Sequence, residues 1–417
     1  MSTAIHRCLC ALIAFPLALG AMPGHAQATL SEPDILSFHD QLLTLDSHID
    51  IRKGYATSRI DPSVLNGEQV NLPSMRIGGL DAGFFIVYTR QGELSEEGYE
   101  QGVAMAEERY HGIVRMLRAY PDQIALAITA DQVEAIHADG KLVALIGIEN
   151  SFPLGMNAQQ VRDNVALWAA RGARYASITH FGHNQFGGSS NPMESLGDGE
   201  DPGLSELGKV LVQALNDHGV MVDISHVGEA TAGEAIALSR APVIASHSTV
   251  KAVHDNPRGL SDAQLRALRD TGGVAQITAF RAYLAELNPQ LLSDVEQLRN
   301  RLGLLDSAAW ATVSEATMTE YRSELARIRG TYGDVTLDQY LDHVDHAVRV
   351  AGIDHVGLSG DFDGGGGVAG WDGAADSPNV TAGLLERGYT QQDIAKLWGQ
   401  NLLRVMRAVQ AAGRQTQ

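Results

Sequence analysis

The segment Asp46-Ser47-His48-Ile49-Asp50-Ile51 sets an imidazole and a carboxylate two residues apart. On an extended chain, side chains two apart point to the same side, so His48 and Asp50 can address one divalent cation, zinc among them. A His-x-Asp pair alone is a common pattern. Here the same placement recurs along the chain. Glu149 follows the apolar run 142–148, His180 follows 175–179, His226 follows 220–225, His247 follows 242–246, and Asp361 follows 355–360. Each has an ordinary alternative: Glu149 as a helix cap, His226 and His247 bonded to backbone, Asp361 opening a glycine-rich turn. Six apolar runs that all end in ligand-type side chains point instead to a site.

Two histidines and a carboxylate suffice for one ion, and the remaining groups suffice for a second. Glu149 can bridge with its two oxygens at the ~3.5–4 Å separation usual in two-metal hydrolases. His48 and Asp50 would complete one shell, His226 and His247 the other. Two negative charges against two dications leave the pair Lewis-acidic. A water or hydroxide held between them would be a nucleophile near neutral pH.

These side chains need elements to position them. The residues 42–45 lead into the Asp46 cluster and, with an apolar run starting at Ile35, read as a buried strand ending in a loop. The runs 83–88, 142–148, 175–179, 220–225, 242–246, 273–278 and 355–360 read as seven more strands. The spans 95–119, 161–170 and 204–215 have helical periodicity. The run 142–148 has no polar interruption, as in a parallel strand covered on both faces. Eight strands with helices between most of them predict a closed (β/α)8 TIM-type barrel, whose strand carboxyl ends converge on one face. A charged stretch at about 287–332 predicts a helical insertion between strands seven and eight, beside the mouth of the site.

Composition narrows the function. The chain has 417 residues and a formal net charge of −19, which argues against a nucleic-acid backbone partner, since that needs an excess of Lys and Arg. Arg7 precedes an apolar run from Cys8 to Met22, followed by Gly24-His25-Ala26 and Ala26-Gln27-Ala28. That is the order of a secretory leader, so residues 1–26 are expected to be a signal peptide and the mature protein to be periplasmic or secreted, without a stable membrane anchor. Both cysteines, Cys8 and Cys10, fall in the leader. The mature chain would hold metal through His, Asp and Glu alone. With no linker-like stretch, 27–417 reads as a single domain.

Taken together, the motifs resemble the membrane (renal) dipeptidases, dinuclear zinc peptidases of the amidohydrolase-like barrel group. The resemblance runs from about Leu42 to Met406. It rests on Asp46-Ser47-His48-Ile49-Asp50, Ile148-Glu149-Asn150, Ile178-Thr179-His180, Asp223-Ile224-Ser225-His226 and Ile244-Ala245-Ser246-His247-Ser248. It continues through Asn256-Pro257-Arg258, Gly360-Asp361-Phe362-Asp363-Gly364 and the tail Gly399-Gln400-Asn401-Leu402-Leu403-Arg404-Val405. It implies two zinc ions per chain held by His48, Asp50, Glu149, His226 and His247, bridged by Glu149 and a water or hydroxide. It also implies that His180 contacts substrate and steadies the oxyanion, that Arg258 binds the dipeptide carboxylate, and that Asp361 handles the catalytic proton. The substrates would be free dipeptides with an L- or D-residue at the C-terminal position, and the family pattern leaves room for a homodimer.

Asn150-Ser151-Phe152-Pro153 replaces the glycines that follow the bridging glutamate in mammalian members. His183 has no role to carry over, and His343, His346 and His355 are expected to be structural or at the surface. The alternative is another dinuclear amide or lactone hydrolase on the same barrel. Those relatives commonly bridge their metals with a modified lysine, and no lysine stands at a corresponding strand end.

Overall fold

The computed structural model describes residues 31–305, 307–310 and 313–414, so the expected leader at 1–26 lies outside the described residues. Eight parallel strands form the centre: β1 (Leu45–Ile49), β2 (Ala82–Tyr88), β3 (Leu142–Glu149), β4 (Ala173–Ser177), β5 (Met221–Asp223), β6 (Ile244–Val250), β7 (Val274–Thr278) and β8 (Val356–Ser359). They pair in chain order. The ring is drawn together between its ends, where Ile49 bridges Phe362 and the Asp50 N–H donates to the Phe362 carbonyl at 2.9 Å. This is the expected (β/α)8 barrel. Two short strands, Ile124–Leu126 and Gly259–Leu260, pair outside the ring with β3 and β6.

Strand alternation divides the apolar residues into two layers. In β2, Ala82, Phe84 and Ile86 join Leu45, Val143, Leu145, Met221 and Ile244 in one cluster, which continues into Leu402, Leu403 and Met406 of the C-terminal helix Asn401–Arg414. Phe85 and Val87 point the other way, into the larger cluster that includes residues of the surrounding helices. Gly147 of β3 is required by this packing, because a Cβ there would lie 2.3 Å from the ring of Tyr175.

The run that starts at Ile35 is corrected by the structure. Ile35 and Leu36 lie in a helix, Glu32–His39, and the strand begins only at Leu45. Pro33 sits in the first helical turn, and the Asp34 carboxylate accepts from the Ser31 N–H at 3.3 Å and its hydroxyl at 2.5 Å. These are helix-start signals. Asp46, Ser47 and His48 are thus inside the strand rather than beyond it.

The insertion falls where expected, as the helices Pro289–Arg301 and Glu315–Tyr332 with the short Ser307–Trp310 between them. It has its own apolar cluster, Leu291, Leu298, Leu304, Tyr321 and Ile328. Arg322 pairs with Glu68 at 2.8 Å and Arg59 donates to the Val313 carbonyl at 3.1 Å, tying the insertion to the loop that follows β1.

Candidate metal centre and active site

The carboxyl ends of the strands bring every sequence-predicted ligand to one place. Glu149, the last residue of β3, is at the centre. Its Oε1 lies 3.1 Å from His226 Nε2, 3.2 Å from His247 Nε2 and 3.8 Å from His180 Nε2. Its Oε2 lies 3.7 Å from His48 Nε2, which is 3.4 Å from Asp50 Oδ2. Three groups with mutually close donor atoms result: His48, Glu149 and His247; Glu149, His180 and His226; His48, Asp50 and Asp361. Glu149 belongs to two of them and His48 to two, so the donors form one continuous cage.

Hydrogen bonds behind the cage fix which nitrogen His48 and His247 present. The Tyr175 hydroxyl donates to the Ser47 carbonyl at 3.0 Å, so its oxygen accepts from His48 Nδ1 at 2.9 Å. Nδ1 of His48 therefore carries a proton, and Nε2 is the nitrogen turned inward. The Ser246 hydroxyl donates to Asp223 at 2.6 Å and accepts from His247 Nδ1 at 2.8 Å, with the same consequence for His247. Such partners fix tautomer and ring orientation in metal sites. Asp46 accepts from the N–H groups of His48 and Gly360, at 3.0 and 3.1 Å, and so fixes β1 against β8 beneath the site.

The donor set fits a divalent metal. His226 Nε2 and His247 Nε2 stand 2.8 Å apart and both face Glu149 Oε1, a set of donors that one divalent cation can share. His48 Nε2 is buried without a hydrogen-bond partner, and a buried polar atom needs one. Nitrogen and carboxylate donors without sulfur suit zinc and similar ions.

The electrostatics agree. Burial would raise the Glu149 carboxyl, yet the imidazoles around it, His180 and His48 first and then His226 and His247, hold it well below the usual range. Burial lowers His226 and His247 well below an ordinary imidazole, helped by Arg258 and His180 at the first and by His48 at the second. Both thus offer neutral nitrogen. For His48 burial is outweighed by Glu149 and Asp50, which raise it well above the ordinary value. A metal entering there displaces a proton. Burial, Asp50 and Glu149 raise Asp361 well above the carboxylate range against the opposing pull of His48.

Three of these loop residues hold positive φ, Asn150 at 71°, His226 at 66° and Asp361 at 52°. Such backbone costs on the order of 1–3 kcal/mol per non-glycine residue and persists at functional sites. Gly364 lies so close that a Cβ would meet Asp50 and Asp361 at 2.3 and 2.5 Å.

Arg258 is buried, donates from Nη2 to the His247 carbonyl at 2.8 Å and leaves Nε without a partner. Its guanidinium lies 5.4 Å from the Tyr283 ring centre. It lines a cavity of about 420 Å³ shared with His226, Ser189, Ser248 and Asn256. His183 stands apart from the cage. Its Nδ1 accepts from the Ser189 N–H at 2.9 Å and its Nε2 donates to the Gly199 carbonyl at 3.1 Å, so it pins the loop after β4. The Ser189 hydroxyl in turn donates to the His180 carbonyl. His343, His346 and His355 bond to Leu284, Asp262 and Gly273 and serve packing. Tyr175, Asp223 and Ser246 were not anticipated. Their signal was a polar atom inside an otherwise apolar strand run.

A family model described as Membrane dipeptidase (Peptidase family M19) matches residues 34–417. Among curated proteins, the chain is 28% identical over 368 residues to Dipeptidase aclJ of Aspergillus oryzae, covering 86% of this chain and 74% of the relative. Among solved structures it is similar to the probable dipeptidase PvdM from Pseudomonas aeruginosa, with 32% identity, a TM-score of 0.78, and coverage of 91% and 98% of the two chains. A metallo peptidase from Rhodobacter sphaeroides, solved with a phosphinate mimic of the dipeptide L-Ala-D-Ala, shares the fold at 22% identity and a TM-score of 0.67, with coverage of 88% and 99%.

Proposed function

The chain belongs to the membrane dipeptidase family, peptidase family M19, and is a metal-dependent dipeptidase; from that premise we propose that it is a dinuclear zinc enzyme that hydrolyses free dipeptides. The observation that carries this is the cage itself, in which one buried carboxylate, Glu149, faces His48 with one oxygen and His226 and His247 with the other. In this reading His48 and Asp50 hold one ion, His226 and His247 the second, and Glu149 both. Bound zinc supplies Lewis acidity and lowers the pKa of a shared water toward neutrality.

The remaining steps belong to the chain's own side chains. Arg258 offers its fork to the free carboxylate of the second residue. His180 hydrogen-bonds to the oxygen of the scissile carbonyl as negative charge develops there. Asp361 accepts the proton lost by the attacking water and returns it to the departing amine as the C–N bond breaks, so that water adds across the peptide bond with no other reactant. Arg258 reads the carboxylate rather than the configuration of the α-carbon, which supports acceptance of an L- or D-residue at that position. We place the catalytic domain at 27–417 and read residues 1–26 as an export leader, on the order of Arg7, the apolar run and the small residues after it. N-terminal sequencing of secreted material checks the leader.

The test is a panel of L,L and L,D dipeptides, their C-terminal amides and a lactone, assayed before chelation, after it, and after zinc is restored. Cleavage of dipeptides alone, lost on chelation and regained with about two equivalents of zinc, is the expected result. Equal turnover of acids and amides, or activity that survives exhaustive chelation, overturns it.

A further inference from the structure

The cage has an aromatic wall on one side that the reaction above does not use. Phe181, the residue after His180, is 36% exposed. Its ring stacks on His180, with centroids 4.6 Å apart and planes 21° from parallel, and meets His226 edge-on at 5.4 Å. Tyr88, at the end of β2, approaches His180 edge-on at 5.0 Å. His180 is therefore in contact with both rings, and Phe181 leaves apolar surface free beside the donors.

The position of that surface identifies what it meets. Phe181 touches His180 and His226. His226 and Arg258 line one cavity. Asp50 and Asp361 gather instead around His48 and Gly364, on the other flank of Glu149. The wall thus adjoins the flank where the substrate's carboxylate is held, so the side chain nearest to it belongs to the residue that carries this carboxylate.

We propose that Phe181 is a specificity-determining residue that packs against the side chain of the C-terminal residue and favours dipeptides whose second residue is apolar and large. This rests on the dipeptidase reading, in which Arg258 holds the carboxylate. Removing the ring takes apolar contact from large second residues and nothing from small ones, so the effect appears as a ratio of specificities.

The experiment compares kcat/KM for Gly-Leu with Gly-Ala, and for Leu-Gly with Ala-Gly, in the zinc-loaded wild type, Phe181→Ala and Phe181→Leu. The wild-type preference for Gly-Leu over Gly-Ala is expected to fall about tenfold in Phe181→Ala, chiefly through KM. The Leu-Gly to Ala-Gly ratio should stay unchanged, and Phe181→Leu should keep most of the preference. Because loosening His180 would slow all four substrates together, the ratios separate contact with substrate from support of His180. Zinc content and Tm of each variant report folding. An unchanged Gly-Leu to Gly-Ala ratio in Phe181→Ala, or a change confined to the Leu-Gly pair, overturns the assignment. Failure of the wild type to cleave any of the four would instead overturn the dipeptidase reading on which it rests.

Discussion

At the scale of single residues, the site is organised by which atoms are left without a partner. His48 and His247 have one ring nitrogen engaged by Tyr175 and Ser246 and the other turned to Glu149. Arg258 has Nη2 engaged by backbone and Nε free. A buried guanidinium with a free donor beside an apolar ring is suited to a carboxylate, because a charge-assisted pair there is little screened. Arg258→Ala should therefore cost roughly 2–5 kcal/mol in kcat/KM for a dipeptide, while hardly changing the slow turnover of the corresponding dipeptide amide. Arg258→Lys should restore part of the loss, since an ammonium lacks the planar fork. Steady-state kinetics on one acid and amide pair decide it. A loss of equal size on both substrates would mean that the arginine supports the fold of the site and does not read the carboxylate.

At the scale of elements, the barrel strands carry the donors, and the helices outside fix where the strands end. His343, in the helix Leu337–Ala351, shows how. It accepts from the Val250 N–H at 3.1 Å on Nδ1 and donates from Nε2 to the Leu284 carbonyl at 3.0 Å, joining the end of β6 to the segment after β7. Burial lowers its pKa from 6.5 to about 4, although the Leu284 carbonyl favours the proton. Protonation would also set an N–H against the N–H of Val250. The folded chain thus keeps His343 neutral while the unfolded chain protonates it near pH 6.5. Its contribution is complete above that pH and disappears as the pH falls toward 4, by at most about 3 kcal/mol. Denaturant unfolding of metal-stripped wild type and His343→Gln at several pH values should show a stability gap that narrows over this window. A gap independent of pH would contradict the assignment. The elements also show what sequence made legible. A charged or imidazole side chain that ends an apolar run has no reason to be there in a core, so the strand ends at Glu149, His180, His226, His247 and Asp361 stood out. Tyr175, Asp223 and Ser246 did not, because their roles depend on neighbours on other strands. The start of β1 was misplaced because the short apolar run from Ile35 shows too few turns to reveal a helical period.

At the scale of the molecule, the proposed ligands come from four strand ends separated by up to two hundred residues, and they meet only when the ring is closed. His48 and Asp50 lie at β1, Glu149 at β3, His226 just after β5 and His247 in β6. The unfolded chain presents them as scattered, weak donors. An ion bound by the cage is therefore bound by the native state almost alone, and its binding energy becomes folding energy. At free zinc a thousandfold above Kd, one site adds roughly 4 kcal/mol. The temperature of the unfolding transition should then rise by several degrees as zinc is returned to chelator-stripped protein, and continue to rise with the logarithm of zinc concentration. Glu149→Gln should abolish most of this rise, since both proposed sites lose a charge and a shared ligand. Arg258→Ala should retain it, because the guanidinium is not among the donor groups of the cage and its proposed partner is the substrate. The measurement is thermal unfolding of the three proteins across a zinc titration, with bound metal counted by elemental analysis at each end. A transition that ignores zinc in the wild type, or that responds equally in Glu149→Gln, would show that the cage is not where the metal binds.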